Sequence, residues 1–165
     1  MNLFVLHIDP VICATYYFDT HVIKIILEAI QMLCTAKLVL DPSADYTLAP
    51  TLYKRTHANH PVSIWVRSSR ENWEWTCALV DALMNEWHHR YEHNREHKSA
   101  PLFLWLKSHP PSLFPSQGLT PFAQAMPDVY KCADAVEAYR KYYMGTEKQK
   151  LRKWRRRSCP DWFCV

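Results

Sequence analysis

From Asp9 to Leu40 the chain is apolar on almost every side, and few folds can accommodate such a stretch. Asp9-Pro10 reads as a helix start, with Asp as N-cap and Pro at the first helical position, where its missing N–H costs nothing. The spacing predicts one long helix over 9–40. On a wheel of about 100° per residue, His21, Lys24, Glu28, Gln31 and Thr35 share an arc of roughly 80°. The other faces carry residues such as Val22, Ile25, Ile26, Ala29, Ile30, Met32 and Leu33. A helix apolar nearly all round is buried on most sides. Its narrow polar stripe must then face water, a partner network or a site, because an unpaired buried charge is costly. One base, one acid, one imidazole and one amide are the inventory of a site as much as of a wet edge.

The rest of the composition narrows the fold. A chain of 165 residues is long enough to bury a sizeable core in one domain. Gly118 and Gly145 are its two glycines, so neither a phosphate-binding glycine loop nor a dinucleotide fingerprint can be built. Tight two-residue hairpins are disfavoured for the same reason. The expected class is mainly α: a compact single-domain helical fold with long Pro-rich loops. A helical core over 1–147 is followed by a basic, aromatic segment over 148–165 that packs on it or extends from it. The six cysteines show no paired spacing, and neither a signal peptide nor a membrane-spanning run is evident. They read as reduced thiols in an intracellular, soluble protein with no membrane partner.

Along the chain, residues 3–8 form a short buried strand or an extended lead-in to the first helix. A loop over 41–52 leads to the polar cluster Thr56-His57-Ala58-Asn59-His60-Pro61, which stands directly before a new helix. Trp73, Cys77, Val80, Met84, Trp87 and Tyr91 alternate by four and three, which predicts a helix from about 70 to 93 with these residues in the core. His89 and His93 have the spacing of two ligands on one metal, but no Cys or carboxylate stands at ligand spacing. Neither a metal nor another cofactor is expected. The segment 99–120 reads as a long ordered loop with an apolar island at 102–106. A helical turn between prolines follows at 121–127, then a helix over 134–144 closed by Gly145.

Seven Lys or Arg residues fall between Lys148 and Arg157: Lys148, Lys150, Arg152, Lys153, Arg155, Arg156 and Arg157. Without them the chain is slightly acidic, 13 bases against 16 acids. Such concentration points to a polyanion, and Trp154 among the bases adds an aromatic that can stack on a base while the cations hold phosphates. The expected partner is DNA, double-stranded and damaged or modified.

Two resemblances carry this further. His21-Val22-Ile23-Lys24 through Glu28 and Gln31, the 56–61 cluster, Glu71-Asn72-Trp73, Pro121 to Pro127, Tyr139 and Pro160-Asp161-Trp162-Phe163 resemble an uncharacterised protein family of tailed phages and large DNA viruses. For a viral protein, intracellular means the host cytoplasm or nucleus. More distantly, Asp19-x-His21 followed by Glu28 is similar to the N-terminal pattern of phage-type pyrimidine-dimer DNA glycosylases (endonuclease V-like). That second resemblance implies an α-amino group attacking C1′ of a deoxyribose, an imine, and strand cleavage by β-elimination. Glu28 would stabilise the cationic sugar and move protons, with His21 orienting it. Asn2 departs from the small second residue of those enzymes. The nucleophile is then the amine of Met1, that of Asn2 after processing, or Lys24.

The reading is a DNA glycosylase or abasic-site lyase. Its catalytic set is Glu28, His21, Lys24 and Asn2, and its substrate-binding set Gln31, His57, Asn59, His60 and Gln124. Two alternatives stand beside it: an enzyme processing a nucleotide or modified base on the same helical scaffold, and a non-catalytic DNA- or RNA-binding viral protein using the basic tail.

Overall fold

The computed structural model describes residues 1–92 and 94–163. Its α-helices are α1 (Pro10–Thr15), α2 (Asp19–Leu40), α3 (Pro61–Val66), α4 (Arg70–Tyr91), α5 (Ala100–Ser108) and α6 (Ala135–Met144). Two 3₁₀ turns, Asp128–Tyr130 and Thr146–Leu151, flank α6. Among the described residues there is no strand, and the fold is all-α in a single domain. The two 22-residue helices α2 and α4 pack against each other. The short helix α1 lies on α4, and α3 and α5 lie on α2.

The helix expected over 9–40 is two helices. Asp9 caps α1 as its sequence indicates, Oδ1 accepting from the N–H groups of Val11 and Ile12. The chain then leaves the helix at Tyr16–Phe18, and Arg90 of α4 holds the break open. Its guanidinium, fully buried, donates to the carbonyls of Thr15 (2.9 Å) and Tyr17 (2.7 Å). It also donates to the carboxylates of Asp19 (3.1 Å) and Glu86 (2.8 Å). Carbonyls at the end of a helix need donors, and here one side chain from another helix supplies them.

Elsewhere packing selects between local readings at residues 3–8 and overrides them at 99–127. Leu3 to Leu6 are buried as a lead-in, without strand pairing. The apolar island is part of α5, where Leu102, Phe103 and Leu106 face the core behind Pro101 in the first turn. Residues 121–126 are not helical. Asn72 clamps the loop before them: Nδ2 donates to the Trp65 carbonyl and to Thr120 Oγ1, both at 2.7 Å, and Oδ1 accepts from the Thr120 N–H at 3.0 Å. Gly145 does end α6, but with φ of −59°. A Cβ there would meet the Tyr130 hydroxyl at 2.5 Å, so the residue is small to allow that approach. Cys13, Cys34, Cys77 and Cys132 are free thiols, whereas Cys159 is disulfide-bonded, against the expectation of reduced thiols throughout.

The C-terminal segment packs on the core through aromatics. The Trp154 indole N–H donates to the Tyr16 carbonyl at 2.9 Å, and its ring meets Phe18 and Phe163 edge-on. Arg157 donates to both oxygens of Glu86, at 3.1 and 2.6 Å. Asp19 receives the Arg155 N–H at 2.9 Å and donates its own to the Lys153 carbonyl at 2.9 Å. Two carboxylates therefore tie α1, α2, α4 and the C-terminal segment to one guanidinium. Removing it strands buried carboxylates, so Arg90→Ala is expected to cost about 3–5 kcal/mol in urea unfolding, with Arg90→Lys restoring little because an ammonium lacks the planar fork. A loss below about 1 kcal/mol would show that the junction is held by something else.

Candidate active site

The polar stripe of α2 is not a wet edge. His21 and Thr35 are buried, Gln31 is half-buried, and Glu28 is 15% exposed at the side chain. Only Lys24, at 62%, stands in solvent. Thr35 Oγ1 donates to the Thr56 carbonyl and accepts the Thr56 N–H, which lashes the loop before α3 to the helix. The N-terminal residues cover the rest.

Three nitrogens converge on the Glu28 carboxylate. The peptide N–H of Asn2 donates to Oε2 at 3.0 Å. Lys24 Nζ, one turn earlier on α2, lies 3.4 Å from Oε1, and the Met1 amine lies 3.8 Å from the same oxygen. Asn2 is held from its other side. Its Nδ2 donates to the Ala125 carbonyl at 2.8 Å, and its Oδ1 accepts from the Tyr139 hydroxyl at 3.2 Å. Tyr139 and the 121–127 segment thus set where the N-terminus meets Glu28. The periodicity of α6 marks Tyr139 as a core residue, but no local signal reveals its hydroxyl as a fastener.

His21 lies beneath this centre. Its ring stacks on Phe4, with centroids 4.6 Å apart, and Nδ1 is 2.5 Å from the Tyr143 hydroxyl. Burial, and then the positive charges of Lys148 and Lys24, push its pKa down to about 3. The imidazole is a neutral, packed group, and no hydrogen bond joins it to Glu28 among the described residues. His60 caps α3, its Nδ1 accepting from the Val62 N–H at 3.3 Å. Burial, the Met1 amine and His57 lower its pKa, and Glu28 opposes them, so His60 lies in the field of the same centre. His57 and Asn59 are exposed on the turn before it, His57 with a left-handed φ of 47°. Gln124 is elsewhere engaged: its amide donates to the Cys132 carbonyl (2.6 Å) and accepts the Cys132 N–H (3.2 Å).

On the adjoining face of α2, Ile23 and Leu27 are exposed and line a cleft of about 620 Å³. Tyr53, Trp87 and residues Arg95 to Ser99 complete its walls. It is partly aromatic and partly charged, with Glu96 between the two bases Arg95 and Lys98, and it opens one residue away from Lys24 and Glu28 on the helix.

The basic segment divides. Arg157 pairs with Glu86 and Arg156 with Glu92, while the Arg155 guanidinium lies over Tyr91, 5.3 Å from its centroid. Arg152 donates to the Met144 carbonyl at 2.6 Å and lies over Phe163. Lys150 and Lys153 are exposed. Trp154 is an anchor in the core rather than an open stacking surface. Lys148 stands apart from them all. It is half-buried, its ammonium 5.0 Å from the Phe4 centroid and 4.7 Å from that of Tyr142.

His93 lies outside the described residues, and His89 Nε2 is 3.1 Å from the Arg156 carbonyl. Among the described residues no cluster of three or more His, Cys, Asp or Glu is placed to hold a metal. Nor is any helix among them long and apolar enough to cross a membrane. No protein-family model, no curated protein and no solved structure matches the chain.

The position of His21 has a pH consequence. Its native pKa of about 3 lies below its unfolded value, so between them the unfolded state binds the extra proton. Stability is complete above pH of about 6.5 and falls as pH drops below it. His21→Gln, which keeps a partner for Tyr143, is expected to flatten the melting-temperature profile from about pH 7 to pH 4. An unchanged slope would mean that His21 is not buried as a neutral group.

Proposed function

We propose that this protein is a DNA-acting enzyme of the glycosylase or abasic-site lyase type, centred on Glu28. The observation that carries this reading is the meeting of a largely buried carboxylate with the amines of Met1 and Lys24, 3.8 and 3.4 Å from one of its oxygens. Amine chemistry at a sugar carbon needs such a pair. The unprotonated amine attacks C1′ as the bond to the base breaks, and the base leaves with that electron pair and takes up a proton. The sugar ring opens to an imine. Loss of a C2′ proton to Glu28 then expels the 3′ phosphate with the C3′–O electron pair. The Asn2 nitrogen, 3.0 Å from Oε2, would take the place of the Met1 amine if Met1 were removed.

Two further features support a nucleotide substrate. The cleft beside Ile23 and Leu27 offers apolar and aromatic walls to a base extruded from the stack. The cations Lys24, Lys148, Lys150 and Lys153 are available to phosphates, whereas Arg156 and Arg157 are committed to carboxylates of α4 and the residue after it. A binder relying on the whole basic tail is less well supported, since much of that tail is structural. The cleft also favours a second reading, an enzyme acting on a free nucleotide or modified base.

Borohydride trapping tests the first reading. With duplexes carrying an abasic site or a modified base, the wild-type protein is expected to form a covalent adduct. Glu28→Gln is expected to slow its formation by about 10²-fold or more. Peptide mapping of the adduct then assigns the amine among Met1, Asn2 and Lys24. Absence of an adduct on every duplex would overturn the reading, and a thermal shift with nucleotides in that case would select the second.

A further inference from the structure

Counting charge around Glu28 exposes an imbalance. One carboxylate serves the Met1 amine and Lys24, and its second oxygen already takes the Asn2 N–H. The neighbouring histidines do not add to the positive side, because burial and the surrounding cations hold both His21 and His60 toward their neutral forms. Lys148 brings a third cation into the same field. Burial lowers its pKa first and repulsion from Lys24 second, while Glu147 and Glu28 pull the other way. Among the described residues the Lys148 ammonium makes no ion pair and no hydrogen bond. This contrasts with Arg90, Arg156 and Arg157, each of which meets a carboxylate.

The side chain is nevertheless well fixed. Gly145 lets the chain pass close to Tyr130 and turn into the 3₁₀ segment Thr146–Leu151, which carries Lys148 back over the N-terminus. There its ammonium rests against Phe4 and Tyr142, whose ring faces hold a cation without neutralising it. A half-buried cation held on ring faces, one of them Phe4, which stacks on His21 one turn before Lys24 on α2, and without an ion pair among the described residues, is suited to receive an anion.

We propose that Lys148 and Lys24 form a phosphate-binding subsite on the Glu28 centre, which takes the phosphate beside the reacting sugar. The identity of that phosphate as part of a DNA strand rests on the glycosylase or lyase reading. The same two cations would equally take the phosphate of a free nucleotide. Lys148 is thereby a member of the site and not of the basic tail with which it is contiguous in sequence.

The test is binding, which requires no turnover. Lys148→Met keeps the length and apolar packing of the stem while removing the charge, and Lys141→Met, at an exposed position of α6 where Lys141 pairs with Glu137, is the control. Both variants are first checked by thermal melting. Affinity for a duplex with a tetrahydrofuran abasic analogue is measured across salt concentrations. Lys148→Met is expected to weaken binding about tenfold and to lower the salt slope by about one, with Lys141→Met near wild type. Replacing the linkage beside the analogue by an uncharged methylphosphonate is expected to cost wild type a similar factor and Lys148→Met almost nothing. Inorganic phosphate is titrated in parallel against ¹³C-dimethylated protein, where the Lys148 resonance is expected to shift. A phosphate response without coupling to the linkage would assign the subsite to a free phosphate group. Equal losses for Lys148→Met and Lys141→Met, or neither a linkage coupling nor a phosphate response, would overturn the proposal. Trapping reports separately on the chemistry, so an adduct that forms without these effects leaves the lyase reading standing and removes the subsite.

Discussion

The fold depends on one buried guanidinium. Arg90 sits where α1 ends, where α2 begins and where the C-terminal segment returns, and it donates to a ligand from each side of the α1–α2 break. Taking such a group out of water is expensive, and it is stable here because carbonyls and carboxylates meet its donors in planar, charge-assisted geometry. Burial raises the Glu86 carboxyl, but hydrogen bonds from Arg157 and Arg90 outweigh this and hold it below the usual range. With α2 directed by that junction, the stripe from His21 to Thr35 is turned toward the N-terminus and the loop before α3.

What this orientation creates is an asymmetry of charge. Glu28 is shared among more positive groups than one carboxylate can satisfy, and the histidines around it are kept neutral by burial and by those same cations. Lys37, which is buried, meets Asp41 at 2.7 Å, and Lys107 meets Asp81 at 2.6 Å. Lys148, half-buried, rests instead against the rings of Phe4 and Tyr142. Phe4 links Lys148 to the amine–carboxylate centre: the Lys148 ammonium rests on its ring, and His21, one turn before Lys24 on α2, stacks on it.

The basic segment shows how composition and structure diverge. Seven cations in ten residues suggest one electropositive surface. In three dimensions Arg156 and Arg157 neutralise acids on and just beyond α4, Trp154 plugs the core against Phe18, and Lys148 rests on the rings of Phe4 and Tyr142. A charge run is a statement about the chain, whereas a field is a statement about where the opposite charges lie.

Much of this was legible beforehand. Helical periodicity located α4 to within two residues and identified the α2 stripe, because side-chain spacing on a helix is a local property. The cap at Asp9 was legible for the same reason. The break at Tyr16–Phe18 was not, since it is maintained by Arg90, more than seventy residues away. Nor was α5, whose Pro and Ser content reads as loop until its apolar face finds the core. His21, Glu28 and Lys24 stood out as an unusual set, but the sequence could not tell that His21 is a packed neutral ring while Glu28 meets amines. Local sequence determined which helices form and which polar residues share a face. Which of those residues are ionised, buried or left without a counter-charge was decided only by tertiary packing, because the free energy of a charge depends on its neighbours in space.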